Sequence, residues 1–180
     1  MINRPRPATG RAQDSFVRQF DGSEAVSHEY KYFEDFNVGD TEIDATSART
    51  VFETDIVMHA MHSGDWMPHH VDVEFARTQP FKKPIAHGNL SFCVGTGLIV
   101  MASDRNPNVM SYGYDKLRYP HPVFAGDTLT ASVKVIDKKD HPKHKTHGLM
   151  THAETVTNQR GEVVCYAEHV FYTLRRTPLD

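Results

Sequence analysis

Residues 85–103 contain no Asp, Glu, Lys or Arg. An uncharged run of that length belongs in a membrane or inside a folded domain. Polar or small residues interrupt it at His87, Asn89, Ser91, Gly95, Thr96, Gly97 and Ser103, and no second run of the kind exists to pair with it, so a helix buried in protein is expected and a membrane span is not. Pro84-Ile85-Ala86-His87-Gly88 leads into this helix. Gly88, Gly95 and Gly97 lower helix propensity but permit close backbone approach, as a helix wrapped by a sheet requires.

Upstream of it, Thr50-Val51-Phe52-Glu53 has the spacing of a capping box and predicts a helix start. Ile56, Val57, Ala60 and Met61 then share one face, with Asp55, His59 and His62 opposite, and Gly64 permits the left-handed conformation that ends a helix. Asp65 follows just past that end. Pro68 cannot sit in a helix interior, so 65–70 is a loop or a new helix start, in which the side chains of Asp65 and His70 can converge without helical spacing.

After Asn106 the chain reads as strands. Val109–Tyr119 is one; Thr128–Ile136 is the next, with Leu129, Ala131, Val133 and Val135 alternating inward; a hairpin of 148–157 and 162–174 turns at Asn158-Gln159-Arg160-Gly161, with Val163, Cys165, Ala167 and Phe171 on one face. A further strand is predicted over Thr41–Arg49 after the turn Asn37-Val38-Gly39-Asp40. One buried helix with an antiparallel sheet is an α+β arrangement. Residues 1–28, rich in Arg, Pro, Ser and Gly, form a flexible extension or an arm on a partner subunit, and 29–180 form a single domain.

The net charge of −3, mixed along the sequence, provides no basic field for nucleic acid. Cys93 and Cys165 belong to no paired motif and suit reduced thiols in a cytoplasmic compartment; the charged first thirty residues do not read as a signal peptide. Twelve histidines raise a metal hypothesis, with His59, His62, Asp65, His69, His70 and His87 as candidate ligands. No compact ligand signature such as His-Glu-x-x-His occurs, so no metal is expected. The run Lys138, Lys139, His141, Lys143, His144, Lys145 and His147 reads as a solvated hairpin loop, or alternatively as a contact for the phosphates of a carrier. Trp66, Tyr112, Tyr114 and Tyr119 are core aromatics or walls of an acyl pocket.

Ser63-Gly64-Asp65-x-x-Pro68-x-His70-x-Asp72, followed by Pro84-Ile85-Ala86-His87-Gly88-x-Leu90 and by Pro120-x-Pro122-Val123-Phe124-x-Gly126-Asp127-x-Leu129, closely resembles the MaoC-like dehydratases, the R-specific enoyl-CoA hydratase family. Three motifs in order cover roughly residues 30–175. The resemblance implies a hot-dog fold, an antiparallel sheet wrapped around one long central helix, paired as a homodimer. It implies interconversion of trans-2-enoyl and (R)-3-hydroxyacyl thioesters, carried by coenzyme A or acyl carrier protein, with no further cofactor. By position it makes Asp65 and His70 the catalytic pair, Gly88 the amide that binds the thioester oxygen, with His87 beside it, and Thr96 the counterpart of a Ser near the pair. Most members carry Asn where this chain has Met67, so an amide that fixes the loop is absent here.

The chemistry suits these residue types. Hydration needs a base for water, a proton for C2 and stabilisation of the enolate oxygen, and a carboxylate and an imidazole sharing one water supply both transfers. Gly88 falls in the first helical turn, where free amides and the helix dipole favour negative charge. Two rivals remain open from sequence: a hot-dog thioesterase using the same oxyanion site, and a non-catalytic subunit that binds acyl thioesters.

Overall fold

Alternation of apolar and polar residues builds the sheet. The computed structural model describes residues 30–180, and the expected extension over 1–28 lies outside the described residues. In strand β4 (Thr128–Asp140), Leu129, Ala131, Val133 and Val135 are all buried, the period-two burial of a strand with one face on a core. It pairs antiparallel with β5 (His147–Asn158), which pairs with β6 (Val163–Leu174), which pairs with β3 (Val109–Arg118). Short strands β1 (Thr41–Ile43) and β2 (Arg49–Thr50) both lie on the free side of β4, giving the order β1-β4-β5-β6-β3 with β2 also on β4. The β5–β6 turn closes through the Gly161 amide on the Asn158 carbonyl, with Gly161 at φ 77°.

Helix α4 (Gly88–Ala102) packs across one face of this sheet against β4, β5 and β6, the hot-dog arrangement. Leu90, Val94 and Leu98 share a core with Leu129, Ala131, Val156, Val164 and Cys165. At Gly95 a side chain would collide with Val156 Cγ2, so the glycine lets the helix lie directly on β5. Among the described residues no helix is long and apolar enough to cross a membrane.

Four local expectations are corrected. The strand over Thr41–Arg49 is two pieces, because the Thr46 hydroxyl accepts the Ala131 amide at 2.9 Å where a strand carbonyl would otherwise do so. The capping box is misplaced: α1 spans Glu53–Ser63, Thr50 bonds Thr128 across strands at 2.8 Å, and the helix start is held by Asp55 accepting from the Phe52 amide at 2.9 Å. On α1, Ile56 and Ala60 are buried while Val57 and Met61 are exposed. The basic run is also shorter as a loop than expected, since β4 continues through Lys138 and Lys139, and Lys138 donates to the Phe36 carbonyl over the Phe33 ring.

Candidate active site

The loop that carries Asp65 is set by the end of α1. Gly64 takes the left-handed conformation at φ 75°, and its amide closes on the Ala60 carbonyl at 2.9 Å. The Asp65 side chain folds over its own loop, accepting from the Met67 amide at 3.3 Å. Pro68 occupies the first turn of α2 (Pro68–Val71), where its missing N–H costs nothing. Asp72 caps the following helix α3 (Val73–Thr78) by accepting from the Phe75 amide at 2.9 Å. His70 is thereby turned inward and is 8% exposed.

The tautomer of His70 follows from its partner. Nδ1 lies 2.7 Å from the Ile85 carbonyl, which can accept and never donate, so Nδ1 carries the proton and Nε2 presents a lone pair. Burial lowers the pKa of His70 against the opposing effect of that bond, and the neighbouring His87 and His69 rings lower it further. His70 is therefore a neutral imidazole with a free basic nitrogen.

His87, at the N-cap of α4, is 2% exposed. Its Nε2 donates to the main-chain carbonyl of Asp65 at 2.9 Å, and its ring stacks on that of His70 with centroids 3.8 Å apart. His87 thereby ties the start of α4 to the Asp65 loop. Its Nδ1 is buried with no hydrogen-bond partner among the described residues. The His59 ring stands 4.7 Å from it, and burial followed by the His87 neighbour lowers the His59 pKa.

A carboxylate oxygen of Asp65 and a ring nitrogen each of His70 and His87 lie within 4.8 Å of one another. Two hydrogen bonds of about 2.8 Å meeting at one water span about 4.6 Å, a length inside that limit. The same three residues form a group able to hold a metal ion; of the six candidate ligands, these are the ones brought together.

Gly88 begins α4, so its amide has no partner within the helix. A side chain there would meet Tyr119 Cδ2 at 2.5 Å, and the Tyr119 hydroxyl donates to Asn89 Oδ1 at 2.8 Å. The third motif braces this end. The Asp127 carboxylate accepts from the Phe124 amide, Gln159 and Arg160; burial works to raise its pKa, and those bonds outweigh it and hold it low. Val123 in turn accepts from the Ala86 amide at 2.7 Å, fixing the entry to α4.

Thr96 does not join the pair. It lines a separate cavity of about 540 Å³ with His152, Glu154 and His169. Of the aromatic candidates, Tyr119 lies against Gly88, Tyr114 stacks on His169 at 3.9 Å, and Trp66 and Tyr112 are exposed. Sequence reasoning missed the hydrogen-bonded chain from Ser111 to the buried His169 and Glu154. A signal existed: His152 and Glu154 have the inward parity of Met150 and Val156 on β5, and His169 that of Ala167 and Phe171 on β6.

The chain is similar to known proteins. Residues 36–158 match the family model described as MaoC like domain. Over 106 residues the chain is 40% identical to an (R)-specific enoyl-CoA hydratase from Rhodospirillum rubrum, covering 58% of this chain and 69% of that protein. Over 115 residues it is 36% identical to Protein MaoC from Klebsiella aerogenes; the match covers 64% of this chain but a third (33%) of that longer protein. A solved structure of a monoamine oxidase regulatory protein from Archaeoglobus fulgius superposes with a TM-score of 0.74 at 35% identity, covering 82% of this chain and 97% of the other.

Proposed function

The chain belongs to the MaoC-like domain family, and on that footing we propose that it hydrates trans-2-enoyl thioesters to (R)-3-hydroxyacyl thioesters, or runs the reverse dehydration, with Asp65 and His70 as the reacting pair. The observation that carries this reading is the neutral His70, its Nδ1 committed to the Ile85 carbonyl and a ring nitrogen within 4.8 Å of an Asp65 carboxylate oxygen, beside the open amide end of α4.

In the hydration direction, Asp65 orients the water by accepting one of its hydrogens, and His70 Nε2 takes the other as the oxygen bonds to C3. The π electrons of the enoyl group move onto the thioester oxygen, where the Gly88 amide and the dipole of α4 stabilise the charge. The proton held on His70 then passes to C2 and the carbonyl re-forms. One water is added and the imidazole returns to its starting state. The reaction needs no resident metal or redox group, and coenzyme A or acyl carrier protein enters as the substrate's carrier.

Strand β3 is an edge strand whose Met110 and Tyr112 are exposed, and such an edge favours pairing with a second copy. This supports the homodimer expected from sequence. The free thiols of Cys93 and Cys165 fit the reducing cytoplasm.

The test is to mix the purified protein with crotonyl-CoA while following enoyl absorbance and free thiol in parallel. Loss of absorbance without thiol is the expected result. Thiol release would identify a thioesterase instead, and neither signal would identify a binding subunit.

A further inference from the structure

On α4, Asn89, Cys93, Gly97 and Val100 form an exposed stripe that starts at the amide end, and nothing lies within 4 Å of where a side chain on Gly97 would stand. The stripe leads from Gly88 toward Thr96, eight residues and therefore about 12 Å along the axis. There the helix and sheet part to leave the cavity of about 540 Å³, lined by Thr96 and Ile99 from the helix and by Val133, Met150, His152 and Glu154 from the sheet. Gly95 sits on Val156, so the next inward residues of β5, Glu154 and His152, underlie the following helical turn.

These two side chains are buried and incompletely bonded. Glu154 is 5% exposed; one of its oxygens accepts from His169 Nδ1 at 2.6 Å, and the other has no hydrogen bond among the described residues. His169 is in turn held by the Ser111 hydroxyl on its Nε2 at 2.8 Å, which fixes the carboxylate in place. His152 is 9% exposed and its Nε2 has no partner among the described residues. A buried imidazole nitrogen left open on a cavity wall is costly unless a ligand completes it.

Resting on the enoyl-thioester reading above, we propose that this cavity selects acyl tails bearing a hydroxyl group, bound by Glu154 and His152. A hydroxyl donates to the free Glu154 oxygen and shares its own oxygen with the His152 ring. A carboxylate tail would face the Glu154 carboxylate at close range in a site largely screened from water. An alkyl tail would leave both groups unpaired. Burial keeps His152 neutral, its pKa lowered to about 4; the cavity lining also holds Lys31, paired with Glu42 at 2.9 Å, and Arg105.

The test compares calorimetric binding of three saturated thioesters of one length, decanoyl-CoA and its ω-hydroxy and ω-carboxy counterparts, to the full chain and to His152→Leu and Glu154→Leu. A site built to bond a hydroxyl discriminates strongly against analogues lacking it, so the ω-hydroxy ligand should bind the native protein at least about tenfold tighter than either other ligand. In each variant that ratio should fall toward one. His152→Leu leaves the Glu154–His169 pair intact and serves if Glu154→Leu does not fold. Equal affinity for hydroxy and alkyl tails, preference for the carboxylate, or an unchanged ratio in a folded variant overturns the proposal. Binding is read without turnover, so failure of crotonyl-CoA hydration counts against the hydratase reading and leaves this ratio to be judged separately.

Discussion

Replacing His70 with Asn separates its chemistry from its structural bond. The Asn side-chain N–H reaches as far as imidazole Nδ1, so it can keep the 2.7 Å hydrogen bond to the Ile85 carbonyl while removing Nε2, the proposed base. A positioned general base contributes about 10²–10⁴-fold, or roughly 3–5 kcal/mol of barrier at 1.36 kcal/mol per decade. Hydration of crotonyl-CoA by His70→Asn should fall by that factor, with unfolding in urea shifted by less than about 1 kcal/mol, because the buried carbonyl keeps its donor. His70→Ala should show the same loss of rate and, in addition, a stability cost of about 1–3 kcal/mol from the orphaned Ile85 oxygen. An Asn variant with a rate within about tenfold of wild type would refute the assignment of His70 as base. Equal destabilisation of both variants would show that the Asn does not preserve the bond.

Gly88→Ala places a methyl group 2.5 Å from Tyr119 Cδ2, so the helix start or the ring must move; turnover should drop by about 10²-fold, the effect of losing one oxyanion donor, and adding Tyr119→Ala should recover part of it. His152, held to a pKa of about 4 by burial against 6.5 for the free group, makes stability fall on the acid side. Between those values the unfolded chain binds a proton that the folded one does not, so this contribution is complete above pH 6.5 and is lost as pH falls toward 4. The loss is about 3 kcal/mol at 1.36 kcal/mol per unit, and urea titrations across that range should show it flattened in His152→Phe. Treatment with a chelator should leave crotonyl-CoA hydration unchanged, with elemental analysis showing no stoichiometric metal; loss of activity restored by a divalent ion would make the Asp65–His70–His87 group a metal site.

The helix and the convergence of Asp65 with His70 are legible in the sequence because their signals are local. An uncharged run marks α4 without knowledge of its neighbours, and a glycine followed by Asp65, Pro68 and His70 specifies a helix end and a fresh start within a few residues. What stayed hidden depends on register. Thr50 has the type and spacing of a cap, yet its hydroxyl pairs with Thr128, 78 residues away, and no local pattern discloses that choice. Glu154, His169 and Ser111 meet across three strands, and cross-strand alignment is fixed by the packed sheet rather than by any one segment. The bond from His87 to the Asp65 carbonyl spans 22 residues and becomes visible once both loops are folded together.

The central claim is that Asp65, His70 and the amide end of α4 add water to an enoyl thioester in one orientation. The most direct measurement is chiral analysis of the product formed from crotonyl-CoA by the native protein. The account predicts 3-hydroxybutyryl-CoA of the R configuration, with the product absent in His70→Asn. Formation of the S enantiomer, or release of free coenzyme A with no hydroxyacyl product, would contradict it.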